Sequence, residues 1–156
     1  MLELFSRVNM NILKDHSSQC IPLHLGEDIS SLSAILLNET YYQFLLSGRI
    51  KIREITILEP MHLIPFKAKA WLDLKYKHES GLHVDSGDIK KHKNDIIRLA
   101  TILIENAKCE LPYEIQNDMN KIVHSLETEI IDLPSLNISN TEKSDIINIL
   151  IKVYSL

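Results

Sequence analysis

The apolar residues of this chain change their period at Glu59–Pro60, and that switch sets what the chain can fold into. Before it, Ile50, Ile52, Ile55 and Ile57 form a β-branched run whose alternation slips once near Glu54, which predicts a strand with a bulge. After it, apolar positions recur every three to four residues, the repeat of amphipathic helices. The expectation is an α+β fold: a small mixed strand and helix part over residues 1–58, then a bundle of about four helices over 59–156. Further upstream, Ile21, Leu23 and Leu25 alternate with Pro22 and His24, as in a half-buried edge strand ending at Gly26. Residues 29–37 suit a strand or a buried helix equally. Asn38 offers an N-cap to a short helix over Glu39–Ser47, which Gly48 stops.

In the helical part, Pro60 suits a first turn, and Pro65 requires that the helix begin several residues before it. This helix is expected to reach about Tyr76. A polar loop with Gly81 follows, and Ser86 is expected to cap a long helix ending near Asn106, with Asp88 favouring its dipole. A further helix follows Pro112, with Ile115, Met119, Ile122 and Leu126 on one face. The last follows Thr141, with Ile146, Ile149, Leu150 and Val153; residues 132–140 connect the two.

Hydrophobic residues make up 45% of the 156 and charged residues 24%, enough apolar material to close a core, so disorder is not expected. A formal charge of −4 removes the signature of a uniformly basic nucleic-acid-binding domain but allows local patches. Cys20 and Cys109 form no CxxC, so the default reading is a reduced, cytoplasmic protein without a structural zinc. No basic-then-apolar leader opens the chain, and no stretch approaches about 18 uninterrupted apolar residues, so no membrane role is expected. No GxSxG, HExxH, Walker A or GxGxxG occurs. His78 and His83, with Glu79 and Asp85 nearby, match no common ligand spacing. Glu127-Thr-Glu129 reads as surface, and neither cysteine has the context of a nucleophile.

One residue breaks the pattern. On a wheel of residues 63–76 at about 100° per residue, Leu63, Ile64, Phe66, Ala70, Trp71 and Leu74 cover one arc of roughly 160°. Lys67 falls near the middle of that arc, while Lys69, Asp73 and Tyr76 take the opposite, solvated side. An ammonium on a packing face costs several kcal/mol unless it finds a counter-charge or a cavity, so Lys67 either snorkels out or points into a polar pocket. On residues 89–106, Ile89, Ile96, Ile97, Leu99, Ala100, Leu103 and Ile104 form the apolar face, with Asp95 at its edge. Lys91, Asp95 and Arg98 are spaced for an intrahelical ion-pair ladder; alternatively, Asp95 is half of a phosphate- or proton-handling pair with the semi-buried lysine. Lys90-Lys91-His92-Lys93 is a basic run, either a solvated face or a contact for a phosphate backbone.

The stretch Leu63-Ile-Pro-Phe-Lys67-Ala-Lys-Ala-Trp-Leu-Asp-Leu74, followed by Val84-Asp-Ser-Gly-Asp-Ile-Lys-Lys-His-Lys-Asn-Asp95-Ile-Ile-Arg-Leu99, resembles the carboxy-proximal half of the AbiEii/AbiGii-type nucleotidyltransferase toxins of bacterial abortive-infection and toxin–antitoxin systems. Ser31–Leu37, Tyr41-Tyr42 and Phe44–Arg49 look like the same proteins, so the resemblance spans roughly residues 20–106. It implies an α/β nucleotidyltransferase core with a Gly-rich turn and a D-x-D metal-binding pair, then a helical half whose lysine and aspartate complete the site. Lys67 matches that lysine and Asp95 that aspartate. Lys67 would meet nucleotide phosphates as a point charge, and Asp95 would hold an acceptor or orient Lys67. Lys69, Lys91 and Arg98 are the further candidates for contacting nucleotide or acceptor. The implied partners are a nucleoside triphosphate, an RNA or protein acceptor and a cognate antitoxin.

The sequence has no Gly-Gly or Gly-Ser turn followed by D-x-D. It therefore looks like a family member lacking its amino-terminal catalytic half, expected to be inactive or nearly so alone. Mg2+ is expected only for the complete family member, with no dedicated ligands in this chain. The competing expectation is a non-catalytic helical interaction module that meets a protein or nucleic acid through Lys90–Lys93. Sheet surface left uncovered by a missing half would favour a homodimer.

Overall fold

The computed structural model describes residues 38–104 and 107–156. The expected strand over residues 21–25 and the ambiguous run 29–37 lie outside the described residues. What is described is an α+β arrangement: helix α1 (Glu39–Ser47), a hairpin of β1 (Arg49–Ile52) and β2 (Ile55–Leu58), then helices α2 (Pro60–Glu79), α3 (Ser86–Ala100), α4 (Tyr113–Thr128) and α5 (Lys143–Tyr154). A single 3-10 turn, Pro134–Leu136, interrupts the connection between α4 and α5.

Asn38 caps α1 as expected, accepting from Tyr41 N–H at 3.1 Å. The bulged strand is corrected to a two-residue hairpin. The slip at Glu54 is a reversal of the chain, with Arg53 at φ 55°, and not an inserted residue. Ile50 pairs with Ile57 and Ile52 with Ile55, so all four isoleucines share one face of the antiparallel pair.

Helix α2 starts at Pro60, five residues before Pro65, and continues past the expected Tyr76 to Glu79. Gly81 ends it at φ 79°: its N–H reaches His78 C=O and the N–H of Leu82 reaches Lys77 C=O, the paired bonds of a Schellman motif. Pro65 has no N–H for the carbonyl of Met61 four residues back. The Tyr154 hydroxyl, from the last turn of α5, donates to that carbonyl at 2.6 Å. The acceptor that proline leaves open is thus filled from another helix.

Helix α3 is shorter than expected. Asp85, not Ser86, is its N-cap, accepting from Gly87 N–H at 2.7 Å, and the helix ends at Ala100 rather than near Asn106. Ile104, expected on its apolar face, is past the helix end and exposed. Helix α4 buries Ile115, Met119, Ile122 and Leu126, the face read from spacing. In α5, Glu142 and Asp145 form a reciprocal capping box, and Ile146, Leu150 and Val153 turn inward.

Helix α2 is the centre of the bundle, packed most extensively on α3 and also on α4 and α1. Residues 64–68 are buried without interruption, as are Ala70 and Trp71, so the middle of α2 is enclosed on most sides. Each fully buried large side chain contributes on the order of 1.5–3 kcal/mol. No helix among the described residues is long and apolar enough to cross a membrane.

Candidate functional site

Lys67 sits one-third of the way along α2, and Asp95 in the second half of α3, which packs against it. Lys67 Nζ lies 3.2 Å from Asp95 Oδ2. The Lys67 side chain is 4% exposed and that of Asp95 26%, so the ammonium is covered and its counter-charge faces partly outward. Lys67 does not snorkel. The expected intrahelical ladder does not form: Asp95 pairs across the helix interface, and among the described residues neither Lys91 nor Arg98 makes an ion pair. A pair of this kind is weak evidence for stability, because desolvating both charges offsets most of their attraction.

The other candidates scatter. Lys69 was expected on the solvated side of α2, yet it is half-buried against α4, 3.2 Å from Asp118 Oδ2 and 3.7 Å from Asp73 Oδ1. Burial opposes its charge, but Asp118, Asp73 and Glu114 outweigh that and hold its pKa above the ordinary lysine value. It therefore reaches a different helix from Lys67. Lys91 is half-buried and Arg98 exposed. The run Lys90–Lys93 does not form one basic face, because consecutive helical residues fan out by about 100°. Lys90 is exposed, His92 is buried, and Lys93 turns to α4 with its Nζ 2.8 Å from Glu129 Oε2.

Three polar clusters escaped the sequence reading. Asp118, 6% exposed, accepts from the Tyr41 hydroxyl at 3.0 Å and also holds Lys69 and Lys121. Burial first, then the Asp118 charge, pushes the Tyr41 phenol well up. The signal was available: Asp118 lies three residues after Ile115 and four before Ile122, on the apolar face of α4. Glu129, expected at the surface, bridges α2 and α3 instead, taking Lys75 at 2.9 Å and Lys93 at 2.8 Å. Burial resists its charge, but the two lysines prevail and hold its carboxyl below the usual range. No local spacing announces a bridge formed by three helices.

The third cluster joins the N-terminal end of α2 to the segment before α4. His62 Nδ1 lies 3.4 Å from Glu59 Oε2, and its Nε2 lies 4.0 Å from Cys109 Sγ. The order acid–imidazole–thiol matches that of a nucleophilic triad. The environment does not: burial, then the Glu59 charge, raises the Cys109 thiol to about 11, which keeps it protonated.

A cavity of about 510 Å3 lies between the C-terminal half of α2, the N-terminal half of α3 and the segment 129–135. Neither Lys67 nor Asp95 lines it. Among the described residues, no three His, Cys, Asp or Glu side chains come together to hold a metal ion. Comparison with protein-family models, curated proteins and solved structures finds no match to this chain.

Proposed function

We propose that the chain carries the helical share of a nucleotidyltransferase-type site, in which Lys67 engages a nucleotide phosphate and Asp95 positions it. One observation supports this reading. A lysine on the packing face of α2 meets, at 3.2 Å, the one aspartate on α3 that the family resemblance also picks out. A carboxylate that holds a buried ammonium fixes its direction, and a phosphate entering from the Asp95 side would share the same cation. The sequence has no D-x-D pair, so the proposal covers phosphate binding and not turnover by this chain alone. An RNA or protein acceptor and a cognate antitoxin stay with the family resemblance as proposed partners.

The covered state of Lys67 favours a second reading. A helical interaction module would keep such a lysine closed, as it is here at 3% exposure. Calorimetric titration with Mg-nucleoside triphosphates separates the two. The first reading predicts saturable heat that Lys67→Met removes and Asp95→Asn weakens, with the circular dichroism of both variants unchanged. No heat from the unmodified chain would leave the interaction module.

A further inference from the structure

The hairpin of β1 and β2 stands clear of the bundle, with every residue from 49 to 57 exposed. Among the described residues it is a sheet of two strands, and neither strand packs extensively on a helix. A hairpin left in that condition is marginal in water, so this one gains stability by pairing. Its two outer edges differ. That of β1 carries Arg49 and Lys51, the kind of charge that keeps an edge from pairing with its own copy. That of β2, Ile55-Thr56-Ile57, carries none. The N–H of Glu59 donates to Gly48 C=O at 2.9 Å, which sets the alternation of the ladder. Ile55 and Ile57 therefore bond towards β1, while the N–H and C=O groups of Thr56 and Leu58 point away from it. Beside that edge stand Ile55, 65% exposed, and Ile57, 39% exposed.

We propose that the outer edge of β2 pairs antiparallel with the same edge of a second copy of this chain, giving a four-stranded sheet with its two-fold axis at Thr56. Charge and register select this arrangement. Pairing through β1 would set Lys51 against Lys51 and Arg49 against Arg53, whereas no like charges meet across β2. A one-residue slip would mix the isoleucine face with the polar face and is excluded. Among registers that keep the faces, Thr56 opposite Thr56 sets Ile55 of each copy against Ile57 of the other, and Arg53 alongside the partner's Glu59. Sliding the copy one way sets Ile55 against Glu59, and the other way sets Ile57 against Arg53. At the axis, the outward N–H and C=O of Thr56 exchange hydrogen bonds with those of its copy, and Leu58 bonds to the partner's Glu54. The edge is only four residues long, so the contact falls below the roughly 800 Å2 per partner of a standard interface. The dimer is accordingly weak, with a dissociation constant on the order of 100 μM.

The test is sedimentation velocity of the full chain from about 5 to 500 μM, a range that brackets such an affinity. The expected result is a monomer–dimer equilibrium. Thr56→Lys and Thr56→Glu change an exposed residue, so circular dichroism should stay as it is. Each should weaken the dimer at least about five-fold, because like charges then meet at the axis. An equimolar mixture of the two variants should restore association, which misfolded variants could not do. Lys51→Thr, on the other edge, should leave the dimer unchanged. A chain that stays monomeric over the whole range would overturn the proposal, leaving the edge to another part of the same chain or to a different protein. So would a dimer that both Thr56 variants leave intact, since the contact would then lie elsewhere, or a mixture of the two that stays dissociated.

Discussion

Cys109 carries the chemistry of a nucleophile in surroundings that silence it. Its thiol is 6% exposed, faces the His62 ring and rises to about 11. At pH 8 the thiolate fraction is then on the order of 0.1%, before access is considered. Alkylation by iodoacetamide in a Cys20→Ser background should therefore be slow at pH 8, accelerate steadily towards pH 11, and become fast on addition of urea. Stoichiometric labelling of the native chain at pH 7 would mean that His62 activates the thiol after all. Lys67 was legible at this scale because one charged residue inside an apolar arc stands out on any wheel. Asp118 obeys the same rule, a charged residue between Ile115 and Ile122 on the buried face of α4. Glu129 could not be read at all, since its burial depends on lysines 54 and 36 residues away in α2 and α3.

Helix α2 passes through the centre of the bundle with a proline inside it, and α5 makes that tolerable. The Tyr154 hydroxyl supplies the hydrogen bond that the carbonyl of Met61 lacks because residue 65 has no N–H. Tyr154→Phe should cost about 1–2 kcal/mol of unfolding free energy, the penalty of a buried acceptor left unsatisfied. In a Pro65→Ala background, where the helix supplies its own N–H, the same change should cost clearly less. Urea denaturation of the four proteins of this cycle checks it, and equal costs in both backgrounds would show that the bond does not compensate for the proline. Element positions were largely readable, because caps and periodicity are local: Asn38, Pro60 and the face from Ile115 to Leu126 all serve as their spacing implied. A two-residue reversal and a one-residue bulge both break alternation once, so spacing alone does not separate the hairpin from a bulged strand. The end of α3 is hidden in the sequence because Leu103 and Ile104 continue the apolar pattern past the last helical turn.

Across the whole molecule, two charged centres link the same helices in different ways. Lys67 and Asp95 join α2 to α3 directly, whereas Glu129 draws α2 and α3 onto the end of α4. Which pairs form is a property of the assembled bundle, and the sequence shows only which residues are out of place. If the Lys67–Asp95 pair is kept for binding phosphate, as proposed, it is not what holds the bundle together. The most direct measurement is urea denaturation of the wild type and the Lys67→Met/Asp95→Leu double variant, each with and without MgATP. A buried ion pair replaced by apolar groups of similar volume is commonly neutral or stabilising, and a ligand that binds the native state raises the midpoint. The double variant should therefore unfold at a urea concentration equal to or above that of the wild type, with MgATP raising the wild-type midpoint alone. A double variant several kcal/mol less stable, with MgATP moving neither midpoint, would make the pair a structural tie and contradict the account.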